Sequence, residues 1–131
     1  MSRIFLVRHG DTESNSADRF WGWTDVRLSD SGIKQAEQLR DRLSTERIDA
    51  IYSSNLCRAS GTARIIAAGL QSGIVTCDEL REINFGRVEG LTFNEISRLY
   101  PELTELWFAR DLSFQFPGGE SVTELNNRVN K

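Results

Sequence analysis

Cysteine is scarce in this chain, and the two present, Cys57 and Cys77, stand where neither cross-linking nor metal binding is served. They lack metal-ligand spacing and are too few for a disulfide framework. Long apolar runs are missing as well. No stretch approaches the ~20 residues of a membrane span. The four-residue run Ile4-Phe5-Leu6-Val7 near the start is too short for the core of a signal peptide. A cytoplasmic location without membrane contact is the default expectation. Basic charge is in deficit: 16 Lys and Arg against 19 Asp and Glu leave a formal net charge of −3. That provides no broad positive field for nucleic acid or anionic lipid. Repeats, low-complexity tracts and interdomain linkers are absent, and histidine occurs once, at position 9. The remaining composition, 39% hydrophobic and 27% charged, is ordinary for a globular protein. The expected organisation is a single domain over residues 1–131 with one core.

Apolar periodicity predicts alternating strands and helices. Strands are expected at about Arg3–Val7, Ile48–Tyr52 and Ile74–Thr76. A helix is expected over Asp30–Thr45, with Ile33, Ala36, Leu39 and Leu43 on one face, and another over Arg58–Gly69, with Ala59, Thr62, Ala63 and Ile66. Thr92-Phe93-Asn94-Glu95 and Ser121-Val122-Thr123-Glu124 are capping boxes, each opening a helix. Pro101 punctuates the first of these helices. Val122, Leu125 and Val129 form an apolar stripe on the second. The alternation predicts an α/β fold, a mostly parallel sheet flanked by helices with right-handed crossovers.

Chemistry gathers just after the expected strands. Arg8-His9-Gly10-Asp11-Thr12 follows the first apolar run and joins a planar cation, an imidazole and a flexible turn at the carboxyl edge of the sheet, where ligands bind in open α/β folds. Arginine engages two phosphate oxygens at once, histidine can act as a nucleophile, and Gly10 admits close approach of an anion to the backbone. A lone histidine after a strand is usually a plain loop residue. Two further clusters weigh against that here: Ser53-Ser54-Asn55-Leu56-Cys57-Arg58-Ala59 places a second arginine at a helix mouth, and Leu80-Arg81-Glu82-Ile83-Asn84-Phe85-Gly86 adds a carboxyl group.

With these residues the chain resembles the histidine phosphatase superfamily, the phosphoglycerate-mutase-like proteins, over nearly its whole length. Arg8 to Thr12 with Asn15 matches the opening motif. Gly22-Trp23-Thr24-Asp25-Val26-Arg27-Leu28-Ser29 through Gly32 is similar to the next. Ser53 to Ala63, Leu80 to Leu91 and Pro117-Gly118-Gly119-Glu120-Ser121 match the remaining three, in order.

The resemblance implies a mechanism. His9 attacks phosphorus and carries a phosphohistidine, Arg8 and Arg58 hold the phosphoryl oxygens, and Asn15 adds a neutral donor. Glu82 protonates the departing alkoxide and then activates water. That role calls for a carboxyl protonated at working pH, hence buried or beside anions. Thr24 and Trp23 join the phosphate- and substrate-binding set. No metal and no cofactor is needed, since the arginines supply the positive charge. The family also carries a second histidine, in a His-Gly motif after a later strand, and this chain has none. With the last helix interrupted at Lys131, the chain is expected to be the amino-terminal portion of a longer domain. A lost charge-stabilising donor typically costs about a hundred- to a thousandfold in rate.

Within the family, the segment from Leu80 to Thr92, with Glu95-Ile96 and Tyr100-Pro101, resembles the α-ribazole and broad-specificity phosphatase branch. The expected partner is a small phosphorylated metabolite, α-ribazole 5′-phosphate first, with a homo-oligomer left open. Departures at Asp11, Ser14 and Arg27 leave the substrate undetermined. Phosphoglycerate mutase and a non-catalytic phosphate-binding module, or an inactive fragment, are the alternatives. Trp21, Trp23 and Trp107 are expected to serve packing, the alternative being a wall of the leaving-group pocket. Cys57, beside Arg58, is expected to be a plain buried thiol.

Overall fold

The structure, a computed structural model, describes residues 2–13 and 18–131. The fold is α/β, and the described chain forms two compact units. One comprises residues 2–13 with Val26–Cys77, the other residues 18–25 with Asp78–Lys131.

In the first unit, helix α1 (Asp30–Leu43) begins where Ser29 accepts a hydrogen bond from the Gly32 N–H at 3.0 Å. Asp30 sits in its first turn and Arg40 and Arg42 in its last, complementing the helix dipole. Ala36 and Leu43 are buried as expected, whereas Ile33 is exposed. Strand β1 (Ile51–Ser53) leads into helix α2 (Cys57–Ala67) and then strand β2 (Ile74–Thr76). The strands pair in parallel, Ile51 opposite Ile74 and Ser53 opposite Thr76, which makes a βαβ unit. α2 buries Arg58, Thr62, Ala63 and Ile66. β1 starts three residues later than expected because the ladder with β2 defines it; Ile48 instead offers its carbonyl to the Ser72 hydroxyl.

The expected strand at Arg3–Val7 does not form. These residues make no ladder, and Ile4 and Leu6 are 85% and 94% exposed. An apolar run becomes a strand only when a neighbour satisfies its backbone groups, and no described residue does so here.

The second unit is built around aromatic packing. Ile83, Val88, Ile96, Leu103, Phe114 and Phe116 form its core, with Phe20, Phe85 and Trp107 against it. Trp107 meets the rings of Phe20, Phe93 and Phe116 edge-on, so this tryptophan serves packing. Helix α3 (Phe93–Leu99) and helix α5 (Val122–Val129) each open with a complete capping box, Thr92 with Glu95 and Ser121 with Glu124. Helix α4 (Pro101–Phe108) starts on the proline itself, whose missing N–H costs nothing at that position. Pro101 therefore both ends one helix and begins another. Val122 and Leu125 of α5 reach the core, and Val129 is exposed. Between these helices and β2 lies a segment without long regular structure, Asp78–Leu80 and Gly86–Val88 being single 3₁₀ turns.

Candidate active site

The His9 segment in the first unit is positioned by backbone contact. A Cβ on Gly10 would lie 2.8 Å from the Gly32 Cα and 2.9 Å from its carbonyl carbon, and nearer still to its oxygen. Two glycines thus let the turn after His9 lie directly on the first turn of α1. The turn is then fixed from three sides. The Gly10 N–H donates to Thr62 Oγ1 of α2 at 3.1 Å, the Asp11 N–H to Gln35 Oε1 of α1 at 2.9 Å, and the Asp11 carbonyl accepts from the Ser29 N–H at 2.9 Å. Thr62 in turn donates its hydroxyl to the Arg58 carbonyl at 2.7 Å. This relay ties the residue after His9 to the turn of α2 that carries Arg58.

The His9 imidazole is half-buried, and its Nδ1 lies 2.8 Å from the Gly10 carbonyl oxygen. A carbonyl only accepts, so this contact places the proton on Nδ1 and leaves the Nε2 lone pair available. Arg58 is 3% exposed and Arg8 is exposed. A buried guanidinium is costly unless it is satisfied, which marks Arg58 as a fixed charge and Arg8 as an adaptable one.

Glu82 and Trp23 lie together in the second unit. The indole Nε1–H of Trp23 donates to the Glu82 carbonyl at 3.0 Å, so its single side-chain donor is engaged by protein. Glu89 fixes the turn that carries Trp23: its carboxylate accepts the Gly22 N–H at 2.8 Å and the Trp23 N–H at 2.7 Å. Any side chain at position 22 would meet the Phe85 ring and the Ile83 carbonyl. The Arg81 and Arg128 guanidinium carbons lie 4.9 and 5.9 Å from the centre of the Trp23 ring, within cation–π range.

The Glu82 carboxyl is exposed, and its Oε1 accepts the Ile83 N–H at 2.8 Å. Of the two settings expected for it, burial or neighbouring anions, burial is not found, because the segment around it has one apolar anchor, Ile83, and runs along the surface. Thr24 is exposed beside Trp23. Asn15 lies outside the described residues.

Sequence reasoning singled out neither Glu89 nor the pair Glu120–Arg128. The first two stand inside recognised motifs, but their work is done on backbone N–H groups far away in sequence. Arg128 carried a weak signal: it falls seven residues after the Ser121 cap, on the same helix face. Glu120 is held below the usual carboxylate range by the Arg128 hydrogen bonds, against the opposing effect of burial. Among the described residues no group of three or more His, Cys, Asp and Glu side chains is set to hold a metal, and no helix is long and apolar enough to cross a membrane.

The profile of the histidine phosphatase superfamily (branch 1) matches residues 4–131. The chain belongs to the histidine phosphatase superfamily. It is 38% identical over 129 residues to phosphoserine phosphatase 1 of Hydrogenobacter thermophilus, covering 98% of this chain and 61% of that protein. It is also 38% identical over 130 residues to phosphoglycerate mutase-like protein 4 of Arabidopsis thaliana, covering 97% and 56%. Among solved structures, a mycobacterial glucosyl-3-phosphoglycerate phosphatase superposes with a TM-score of 0.82 at 31% identity, over 92% of this chain and 56% of that one. The chain thus spans about three fifths of the length of the curated superfamily members it matches.

Proposed function

We propose that this chain carries the phosphoryl-transfer machinery of a phosphomonoester hydrolase acting on a small phosphorylated metabolite. The observation that supports this best is the His9 hydrogen bond to the Gly10 carbonyl. It orients the imidazole and leaves Nε2 as the nucleophile, as a phosphohistidine mechanism requires. Arg8 and Arg58 bear the charge on the equatorial oxygens, with Asn15 as a neutral donor; in such transfers positioning and charge stabilisation do most of the work. Glu82 gives the leaving group its proton and takes one from the attacking water. Thr24 lies beside the substrate. Trp23 serves it indirectly, through the carbonyl of Glu82.

Hydrolysis is favoured over mutase chemistry by the Leu80 to Thr92 segment, which resembles the phosphatase branch. α-Ribazole 5′-phosphate is the substrate that likeness favours. The named substrates of the relatives, phosphoserine and glucosyl-3-phosphoglycerate, belong to those proteins and define the comparison panel here. Phosphate release from p-nitrophenyl phosphate, α-ribazole 5′-phosphate, phosphoserine, glucosyl-3-phosphoglycerate and 3-phosphoglycerate, by the chain and by His9→Ala, tests the proposal. Release that depends on His9 and is fastest on α-ribazole 5′-phosphate is expected. Interconversion of phosphoglycerates driven by bisphosphoglycerate, with little phosphate released, would make the chain a mutase. Saturable phosphate binding with no turnover would make it a binding module.

A further inference from the structure

The segment that carries Glu82 is a surface stretch with almost no apolar anchoring: Glu79, Leu80 and Glu82 are exposed and Ile83 alone is buried. The side chain that holds most of its backbone groups is Arg128. Arg128 uses all five guanidinium donors. Its Nε and Nη2 grip the two oxygens of Glu120 at 2.8 and 2.9 Å. Its Nη1 donates to the carbonyls of Glu79 at 2.7 Å and Arg81 at 3.0 Å, and Nη2 also reaches the carbonyl of Glu82 at 3.2 Å. Glu120 completes the grip: it accepts the Asn84 N–H at 2.9 Å and donates its own N–H to the Asn84 carbonyl at 2.8 Å. Both ionic side chains are only 16% exposed.

Burying an ion pair is an expensive way to gain stability, and well-packed apolar residues usually do as well or better. What the pair supplies that apolar packing cannot is directional control of several backbone groups at once. Those groups flank Glu82 on both sides, and the Glu82 carbonyl also receives the Trp23 indole N–H. We infer that Arg128, locked by Glu120, is a positioning residue that fixes the orientation of the Glu82 carboxyl by clamping the backbone around it. The inference deepens the function proposed above and rests on Glu82 being the proton donor to the leaving group.

The test compares two esters in Arg128→Lys, Glu82→Gln and the double variant of the same chain. A lysine keeps the charge but cannot serve a carboxylate and three carbonyls together. p-Nitrophenolate departs without a proton, whereas the alkoxide of β-glycerol phosphate needs one. Compared as kcat/KM, which reports phosphoryl transfer to His9 and not the later hydrolysis in which Glu82 also acts, Arg128→Lys is expected to cost about tenfold to a hundredfold more on β-glycerol phosphate than on p-nitrophenyl phosphate. In the Glu82→Gln background it should cost nothing further. Equal losses on both esters, or a loss that adds in full to that of Glu82→Gln, would overturn the inference. If Glu82→Gln lowers kcat/KM on both esters alike, the proton-donor assignment fails and the clamp loses its purpose.

Amide hydrogen exchange separates the two failures and stands without turnover. Arg128→Lys should speed exchange at Ile83 and Asn84 by about tenfold or more while the amides of α3 and α4 keep their protection, the behaviour of a local opening. Unchanged exchange at Ile83 and Asn84, or faster exchange throughout the unit, would show ordinary structural bracing and refute the clamp. Should the chain hydrolyse neither ester, this ratio alone decides.

Discussion

Replacing Gly10 by alanine is the sharpest test of how the His9 segment is held. The new methyl would sit 2.8 and 2.9 Å from the Cα and carbonyl carbon of Gly32, and closer to its oxygen. All three are backbone atoms in the first turn of α1, which the Ser29 cap holds at 3.0 Å, so no side-chain rotation can relieve the overlap. Ordinary contact requires the His9 turn and the helix to separate by roughly 1 Å. Overpacking of this kind typically costs about 1–3 kcal/mol. The same movement stretches the Gly10 bond to Thr62 and the Asp11 bond to Gln35, each worth about 1 kcal/mol net. The expected total is about 2–4 kcal/mol, read as a lower urea midpoint with an unchanged slope. A displacement of that size at His9 should also cut the proposed phosphatase turnover roughly a hundredfold. Gly73→Ala is the control: a Cβ there meets nothing within 4 Å, so that variant should be neutral or more stable by about 0.4–1 kcal/mol. A Gly10→Ala chain within about 0.5 kcal/mol of the parent would refute the close-approach argument.

Three further outcomes follow from the second unit. Glu120 is held below its ordinary range, chiefly by Arg128, so its contribution to stability is complete above about pH 4.3, the ordinary glutamate value, and is lost as pH falls through the lower folded value. Urea midpoints of the parent should therefore drop between pH 5 and pH 3 more steeply than those of Glu120→Gln; parallel curves would contradict this. Ser121→Ala and Thr92→Ala each remove a cap that accepts an N–H from the residue three on, and each should cost about 1 kcal/mol in the same assay. Glu89→Gln replaces the charged acceptor of the Gly22 and Trp23 N–H groups, with an expected loss of about 1–2 kcal/mol and a changed Trp23 fluorescence spectrum; an unaltered spectrum would show that Glu89 does not hold that turn.

What sequence reasoning captured was local. α1 follows from apolar spacing, and both capping boxes form as their residues dictate, because each lies within one helical turn. The parallel pairing of β1 with β2 was legible because a helix of the right length separates the two apolar runs. The run Ile4 to Val7 has the composition of a strand, but a strand also needs a neighbour to satisfy its backbone, and composition says nothing about that. At the candidate site, residue types pointed to His9, Arg8, Arg58 and Glu82. The supports did not show: Gly10 against Gly32, Thr62 beneath Gly10, and Arg128 gripping the Glu82 segment join positions 22 to 52 residues apart. Such contacts come from the fold, and only a motif can hint at them.

The central claim is that His9 becomes phosphorylated. Rapid quenching of the chain with excess p-nitrophenyl phosphate, followed by peptide mass spectrometry under alkaline conditions that preserve phosphohistidine, tests it directly. One phosphoryl group on the peptide containing His9, stable to base, lost in acid and absent from His9→Ala, is the predicted result. Phosphate release with no label on His9, or undiminished release by His9→Ala, would contradict it.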